Sequence, residues 1–405
     1  MQRSILEDQL MHTRTPRIRR ALSIAAAIGA IIITVGCSGG LAGDDGGDSG
    51  SSDGPIKLGM LAPFSGSESA FGDYMKNGAQ LAIDEINDDG GVDGRELVLV
   101  VEDDACDATT AVSGANKLVT DGIVASVGGY CSGATLPTLP IFDEAGIPMV
   151  IPAANSNELV KQNLPGVFLI NGTGTQQAAA AVKYAQKSGA TTVGVIDDAT
   201  SYSADLAKSF SDQAEEAGLD VSLKATVTPG ENDYSSVATQ LASEKPDLVY
   251  WTGYYQEGGL IVRQATDAGY EGAFLVGDGS VDAKFAEIAG KGYTEHVLGT
   301  FTQTPDMIQG ADTWIADYEK LAGGKPGPYS TQSYDAVRVV AEAMKDAKST
   351  DFDEVVAALE GLKDFKTFAG PLTFTKDHTL SGGGFVIVGI DPATGSFVLE
   401  DDLQD

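Results

Sequence analysis

Histidine, cysteine and tryptophan are scarce in this chain of 405 residues, which contains three, three and two of them. His296 and His378 stand outside the loops that we expect to carry the chemistry, and His12 lies near the amino terminus. Because a Ser/His/Asp hydrolase needs a histidine beside its nucleophile, this scarcity disfavours an enzyme. The sequence also has no P-loop, zinc-helix or calcium-loop motif. We therefore predict no catalytic activity, no cofactor and no metal site.

Basic residues are also few. The 26 Lys and Arg residues are outnumbered by 58 Asp and Glu residues, and the formal net charge is -32 at pH 7. Nucleic-acid binding depends on Lys/Arg patches that neutralise phosphates, so nucleic acid is not expected as a partner. Hydrophobic residues make up 42% of the chain. This is typical of a soluble globular protein, and the length suits about two domains.

An apolar run, residues 21–36, follows a cluster of arginines near the amino terminus. It is too short to cross a bilayer comfortably but is typical of a signal peptide. The run leads into the sequence TVGC, which resembles a lipobox although Thr34 replaces the usual leucine. We therefore predict a lipoprotein signal peptide over residues 1–36 and a lipid on the thiol of Cys37. A plain signal peptide and a single membrane anchor are the alternatives, and Met11 fits as a second possible start.

The segment after this cysteine, residues 37–54, contains mostly Gly, Ser and Asp. Such a composition predicts a flexible tether, so the protein is expected outside the cytoplasm, anchored to the cell membrane by lipid alone. Disulfides persist in that compartment, and with Cys37 assigned to lipid, Cys106 and Cys131 form an even pair. A zinc site is less well supported because no histidine lies nearby, and the surrounding carboxylates disfavour a reactive thiolate.

From Pro55 onward, short apolar runs alternate with helical patterns. The strand-like runs include IKLGMLA, RELVLVVEDD, GIVASVGG and IPMVIPAA, and the same rhythm resumes with TTVGVIDD, DLVYWTGYY and GAFLVGDG. Near-continuous apolar strands separated by helices predict parallel sheets covered on both faces. Two such sets predict two α/β lobes, and ligands in open sheets of this kind lie outside the carboxyl ends of the strands.

The loops at those positions carry the most distinctive sequences: DDACD, GGYCSGAT and PAANSNEL, together with the helical GGLIVRQATDAG. They resemble the branched-chain amino-acid (leucine/isoleucine/valine) binding proteins of ABC transporters, which have the type I periplasmic-binding-protein fold. The resemblance runs from about Ile56 to the carboxyl end. It implies two doubly wound parallel-sheet lobes joined by a three-strand hinge, with crossings near Thr173, Phe301 and Phe385. The implied lobes are residues 55–173 plus 302–384 and residues 174–301 plus 385–405.

The same resemblance implies roles for individual residues. The cysteine pair matches the family's disulfide, which ties the turn after the second strand to the ligand loop after the third. The ligand carboxylate is expected on Ser132 and Gly133, and helix N-termini suit anions. Ser132 also fits a plain helix cap. The ligand ammonium is expected on the carbonyl of Ala153 and on Asn155 and Asp278, where the family usually has threonine and glutamate.

Five aromatic residues match positions that line the ligand side-chain pocket in that family. Each taken alone also fits core packing, whereas together, on loops of both lobes, they predict a small, mostly apolar pocket. They are Phe71, Tyr130, Tyr202, Tyr254 and Tyr334.

The expected function is therefore that of a monomeric solute-binding lipoprotein. It captures an amino acid, branched-chain or otherwise neutral and aliphatic, between two closing lobes and delivers it to ABC transporter permease subunits. The sequence leaves three alternatives open: an extracellular small-molecule sensor of the same fold, a binding protein for short amides or organic acids, and a hydrolase, against which the missing activated nucleophile counts.

Overall fold

The structure, a computed structural model, describes residues 54–382 and 384–403. The predicted signal peptide, the lipidation site at Cys37 and all but the last residue of the predicted tether lie outside these ranges. The described residues form two large sheets with helices on their faces and one small two-stranded sheet, which confirms the predicted α/β fold class. Within these ranges no helix combines the length and the hydropathy needed to cross a membrane.

The first part of the chain builds a five-stranded parallel sheet. Its elements are β1 (Ile56–Ala62), α1 (Ser69–Asp88), β2 (Leu97–Asp103), α2 (Ala108–Asp121), β3 (Ala125–Ser126), α3 (Ser132–Thr135), α4 (Leu139–Glu144), β4 (Met149–Ile151), α5 (Asn157–Lys161) and β5 (Val167–Leu169). The strand order is β2-β1-β3-β4-β5. The apolar run IKLGMLA coincides with β1, which pairs with β2 from Ile56 opposite Leu97 to Ala62 opposite Asp103.

The next part repeats the alternation of helix and strand. Its elements are α6 (Gly174–Lys187), β6 (Thr192–Asp197), α7 (Ser201–Glu216), β7 (Asp220–Thr226), α8 (Ser235–Glu244), β8 (Leu248–Trp251), α9 (Tyr255–Asp267), β9 (Ala273–Val276), α10 (Ala283–Ala289) and β10 (Val297–Thr302). A reciprocal capping box starts α6, because Thr173 accepts a hydrogen bond from the Gln176 amide while the Gln176 side chain accepts one from the Thr173 amide.

The last part of the chain adds helices beside the first large sheet, adds two strands to the second large sheet and forms the small two-stranded sheet. Its elements are α11 (Asp312–Ala322), α12 (Ser330–Ala347), α13 (Phe352–Gly361), β11 (Phe365–Thr367), β12 (Gly370–Leu372), β13 (Phe385–Ile390) and β14 (Phe397–Asp401). Helices α11 and α12 pack on α1, beside the five-stranded sheet, whereas β13 pairs with β10. We call the five-stranded sheet with its helices, including α11–α13, the first lobe, and the other sheet with its helices the second lobe. The exact lobe boundaries given in the sequence analysis stay a prediction.

The second sheet departs from the predicted all-parallel arrangement. Its order is β14-β13-β10-β9-β8-β6-β7, in which β13 is antiparallel to β10 and β14 is antiparallel to β13. Only a short turn, closed by the Asp391 amide donating to the Ser396 carbonyl, joins β13 to β14. A parallel connection needs a crossover of a dozen residues or more, so this short turn enforces an antiparallel pair.

Candidate ligand-binding site

The carboxyl ends of strands from both sheets face each other across a narrow cavity between the lobes. Its lining comes from the loops after β3, β4, β6, β8 and β9 and from the residue before α12. The eight lining residues are Tyr130, Ala153, Asn155, Tyr202, Tyr254, Asp278, Gly279 and Tyr329. Six of them were predicted as ligand contacts from the sequence, whereas Gly279 and Tyr329 were not.

Asp278, directly after β9, is the charged group of this cavity, and only 2% of its surface is exposed. The Tyr202 hydroxyl donates to its Oδ1 at 2.6 Å, and the Tyr329 hydroxyl donates to its Oδ2 at 2.6 Å. The side-chain amide of Asn155 donates to Oδ2 at 3.1 Å, and that of Asn171 approaches the same oxygen at 3.5 Å. All four donors are neutral.

Burial raises the pKa of Asp278, although the hydrogen bonds from Tyr202 and Tyr329 work against that rise. None of the ion pairs seen in the described part of the chain includes this carboxylate. A carboxylate removed from water and left without a cation is costly, because neutral dipoles only partly replace its hydration. The site is therefore electrostatically suited to a ligand that carries a positive charge.

Ala153 and Asn155 stand beside this carboxylate with acceptors and donors held in place. The Asn171 amide donates to the Ala153 carbonyl at 2.8 Å, which leaves that oxygen a second lone pair. Asn155 also donates to Gln177 at 2.9 Å, and Gln177 in turn donates to the Thr300 hydroxyl at 2.9 Å. This chain of hydrogen bonds fixes the orientation of Asn155. Neither Asn171 nor Gln177 was identified from the sequence. Asn171 could have been identified, because it lies in the loop after β5, at the carboxyl end of a strand, where ligands of such sheets bind.

Ser132 is the first residue of α3 and is buried. Its hydroxyl oxygen accepts a hydrogen bond from the Ser156 amide at 3.3 Å, so its own proton is available to an acceptor. Neither Ser132 nor Gly133 is part of the cavity lining. Gly133 instead faces the second lobe, where a Cβ added to it would lie 3.9 Å from the Cβ of Ser201.

The predicted disulfide joins Cys106 to Cys131, whose Cα atoms are 5.4 Å apart. The acidic residues around Cys106 fix the turn that presents it. Asp103 accepts from the Ala105 amide at 2.9 Å, Asp104 accepts from the Cys106 amide at 2.8 Å, and Asp107 caps α2. The bond thereby ties the turn after β2 to the residue that precedes Ser132.

Four tyrosine rings form the walls of the cavity. Tyr254 lies 5.3 Å from Tyr202 and 6.2 Å from Tyr130, measured between ring centroids, and Tyr130 lies 5.7 Å from Tyr329. Phe71 is fully buried behind Tyr130, on which it stacks at 4.5 Å. Phe71 therefore supports the wall without being part of the lining.

Tyr334 lies outside the cavity, contrary to the sequence prediction. Its hydroxyl donates to Glu85 on α1, and its ring packs 5.7 Å from Trp314 and 5.6 Å from Phe368. The residue that α12 presents to the cavity is Tyr329, just before the helix, with a left-handed backbone at φ 64°. Because α12 does not follow a strand directly, the rule that places ligands after strand ends could not identify Tyr329.

The two lobes touch each other on both sides of the cavity. The amide and the side chain of Asn157 donate to Asp205 Oδ2 at 2.8 and 2.7 Å, and the Tyr255 hydroxyl donates to the Ser67 carbonyl. With Asp278 almost completely buried between the lobes, a ligand reaches it only when the lobes separate. Hinge closure of two lobes around a ligand is a common way to meet this requirement.

Comparison with known proteins gives consistent results. A family model described as periplasmic binding protein matches residues 55–392. The Leu/Ile/Val-binding protein BraC3 of Rhizobium johnstonii is 35% identical over 334 residues, which is 82% of this chain and 90% of that protein.

Two solved structures of similar proteins share the fold. The branched-chain amino-acid transporter substrate-binding protein LivJ of Streptococcus pneumoniae, in complex with isoleucine, superposes with a TM-score of 0.76 at 28% identity and covers 85% of this chain and 100% of its own. The leucine-binding protein LivK of Thermotoga maritima has a TM-score of 0.77 at 29% identity, covering 85% of this chain and 97% of its own.

Proposed function

This chain belongs to the periplasmic binding protein family, and from that premise we propose that it captures a branched-chain or other neutral aliphatic amino acid between its lobes and delivers it to an ABC importer. The observation that carries the proposal is Asp278, a buried carboxylate surrounded by neutral donors. The names of the relatives, which bind Leu, Ile and Val, support the choice of side chain.

The ammonium group of the ligand is assigned to Asp278 and the Ala153 carbonyl. Asp278 Oδ1 accepts one hydrogen bond, from Tyr202, so a position remains on that oxygen. The Ala153 carbonyl also keeps one lone pair. An ammonium placed between them makes a charge-assisted hydrogen bond and offsets the cost of burying the carboxylate. A neutral group at that place provides no such compensation.

The ligand carboxylate is assigned to the loop at the start of α3. The Ser132 hydroxyl can donate there, because the Ser156 amide occupies only its acceptor side. The disulfide between Cys106 and Cys131 restricts the movement of this loop. Pre-positioned donors lower the ordering cost of binding, which favours affinity.

The ligand side chain is assigned to the space between the tyrosine rings. Tyr130, Tyr202 and Tyr254 present ring faces and edges to the cavity, and these surfaces are apolar. Small-molecule sites commonly combine such walls with a few polar groups that orient the ligand. The apolar character of these walls suits a short aliphatic side chain.

We also propose that the protein acts as a monomer outside the cytoplasm, held at the membrane by lipid on Cys37 and a tether over residues 37–54. The signal-peptide pattern of residues 1–36 supports this location. The disulfide supports it as well, because disulfides persist in oxidising compartments. ABC transporter permease subunits are the proposed partners.

The test uses matched ligands on the purified protein. Thermal unfolding is measured with L-leucine, L-isoleucine and L-valine, and with analogues of each that lack the amino group or carry an amide in place of the carboxylate. A ligand at a hundredfold excess over its Kd stabilises the folded state by about 2.7 kcal/mol. We expect a rise in Tm with the amino acids and none with the deaminated acids. A rise with the deaminated acids or the amides alone contradicts the assigned ligand class.

A further inference from the structure

Glu68, the residue before α1, is a second buried carboxylate beside the cavity. Only 4% of its surface is exposed, and its side chain accepts a weak hydrogen bond from the Tyr130 hydroxyl at 3.5 Å and a second hydrogen bond from Ser67. The Tyr130 ring separates Glu68 from the cavity that it lines. The proposed ligand contacts do not use this carboxyl group.

Three groups close to Glu68 belong to the second lobe. Glu257 on α9 and Asp282 at the start of α10 are both buried and both act on its charge. Tyr255, the first residue of α9, donates to the carbonyl of the neighbouring Ser67. Separation of the lobes would therefore move Glu257, Asp282 and Tyr255 away from Glu68 together.

The charges facing Glu68 across the lobes are acidic. Lys284 is the basic residue on this face, but its Nζ lies over the Tyr255 ring, 5.8 Å from the centroid, and its charge acts on Asp282. No ion pair identified within 54–382 and 384–403 includes Glu68. Burial, followed by repulsion from Glu257 and Asp282, raises the pKa of Glu68 to about 8.

We infer that capture of the ligand is coupled to uptake of a proton by Glu68. With the lobes apart, the carboxylate is hydrated and ionised at neutral pH. Closure of the second lobe removes this hydration and brings two further carboxyls close, so the carboxylate takes a proton from the solvent and remains neutral in the closed form. This inference rests on the proposed function, because closure around an amino acid supplies the coupling.

The direction in which pH changes the affinity follows from the pKa of Glu68 in the open and in the closed form. An exposed glutamate has a pKa of about 4.3, below the raised value in the closed form, so protonation favours closure. Affinity is therefore greatest below the pKa of the open form and falls as pH rises toward the pKa of the closed form. In that window the contribution of Glu68 to Kd is about tenfold per pH unit, since one proton is taken up per ligand bound.

The test measures the affinity for L-isoleucine by calorimetry from pH 5.5 to 8.5 in the wild type and in Glu68→Gln. Glutamine resembles the protonated side chain, so we expect the variant to lose about one unit of slope in log Kd against pH. At pH 7.5 the variant should bind more tightly, on the order of a thousandfold. Asp335→Asn is the matched control, because Asp335 is equally buried but its hydrogen-bond donors, the Arg338 side chain and the Phe368 amide, belong to the first lobe.

A second measurement uses the wild type alone and does not depend on whether the variant folds. Binding heats recorded at pH 7 in two buffers with different ionisation enthalpies report the number of protons taken up, and we expect a net uptake. Equal heats in the two buffers, or equal pH slopes in wild type and Glu68→Gln, overturn the inference while leaving the proposed function intact. Absence of isoleucine binding at every pH contradicts the proposed function, and the inference falls with it.

Discussion

Replacing Asp278 by asparagine should change stability and ligand binding in opposite directions. The side chain keeps its shape but loses the charge that the cavity holds without a cation. In the ligand-free protein, loss of the charge stabilises the folded state, because burying a charge away from water is costly. In the complex it is a loss, because the ligand ammonium then faces a neutral amide.

The expected changes in stability and in binding free energy follow from the contacts of each Asp278 oxygen. The asparagine oxygen can replace Oδ2, which receives the Tyr329 and Asn155 donors, so its amide nitrogen then meets the Tyr202 hydroxyl and one hydrogen bond of about 1 kcal/mol is disturbed. Truncating one partner of a buried charge pair costs about 2–5 kcal/mol of binding free energy, or roughly 30-fold to several thousand-fold in Kd.

The effect on stability should depend on pH. Because the pKa of Asp278 is raised in the folded protein, wild-type stability is fully present below the ordinary aspartate pKa of about 3.9 and falls as pH rises above it. The Tm of Asp278→Asn minus that of the wild type should therefore increase from pH 4 to pH 7.5 and become positive. Asp247→Asn is the control, since hydrogen bonds from Thr191 and Thr192 lower the pKa of Asp247 to about 2. Its contribution to stability changes mainly below pH 4, so the Tm of this variant minus that of the wild type should be negative and nearly constant from pH 5 to 7.5.

Thermal scans across this pH range, with calorimetric titration of L-isoleucine at pH 7, check both arms. A Tm difference that stays constant with pH refutes the argument that Asp278 is a desolvated charge. An unchanged Kd refutes its assignment to the ligand ammonium.

Three further predictions concern the surroundings of the cavity. Removal of the disulfide in the Cys106→Ala/Cys131→Ala double variant should lower the free energy of unfolding by roughly 3 kcal/mol in urea denaturation, because it frees a loop closed at a separation of 25 residues. Gly279→Ala should weaken isoleucine binding tenfold or more in calorimetry, since the added Cβ lies 3.0 Å from the Tyr254 ring, whereas Tyr334→Phe should leave the affinity unchanged. Asn157→Ala should weaken binding of leucine, isoleucine and valine about tenfold and equally, because it removes an interlobe hydrogen bond to a carboxylate and no ligand contact.

The sequence predicts the parallel parts of the fold well because buried strands between two helix layers must be apolar throughout. IKLGMLA coincides with β1, and TTAVSGANKLVT lies within α2. The antiparallel pair β13 and β14 escaped prediction although its signal is present. Two apolar runs separated only by DPATGS, which contains Asp, Pro and Gly, favour a hairpin.

The residues of the ligand site can be predicted from the sequence only in part. Residues in loops directly after strands, such as Tyr130, Asn155 and Asp278, follow from topology, and the structure brings them to one cavity. Tyr329 and Tyr334 show the limit of this reasoning. Both lie near the start of α12, but the helix turns Tyr334 toward α1, and no sequence periodicity shows which lobe α12 packs on.

The hydrogen bonds to Asp278 explain why recognition and closure are a single event in this protein. Tyr202 donates to it from the same lobe, whereas Tyr329 and Asn155 reach it from the first lobe. When the lobes separate, water replaces the donors of the first lobe, and the carboxylate is well hydrated again. Closure without a ligand exchanges that water for neutral dipoles, while closure with an amino acid adds a full positive charge. A ligand shifts such an equilibrium only by its difference in affinity between the two states, and in the proposed complex the ammonium group provides that difference.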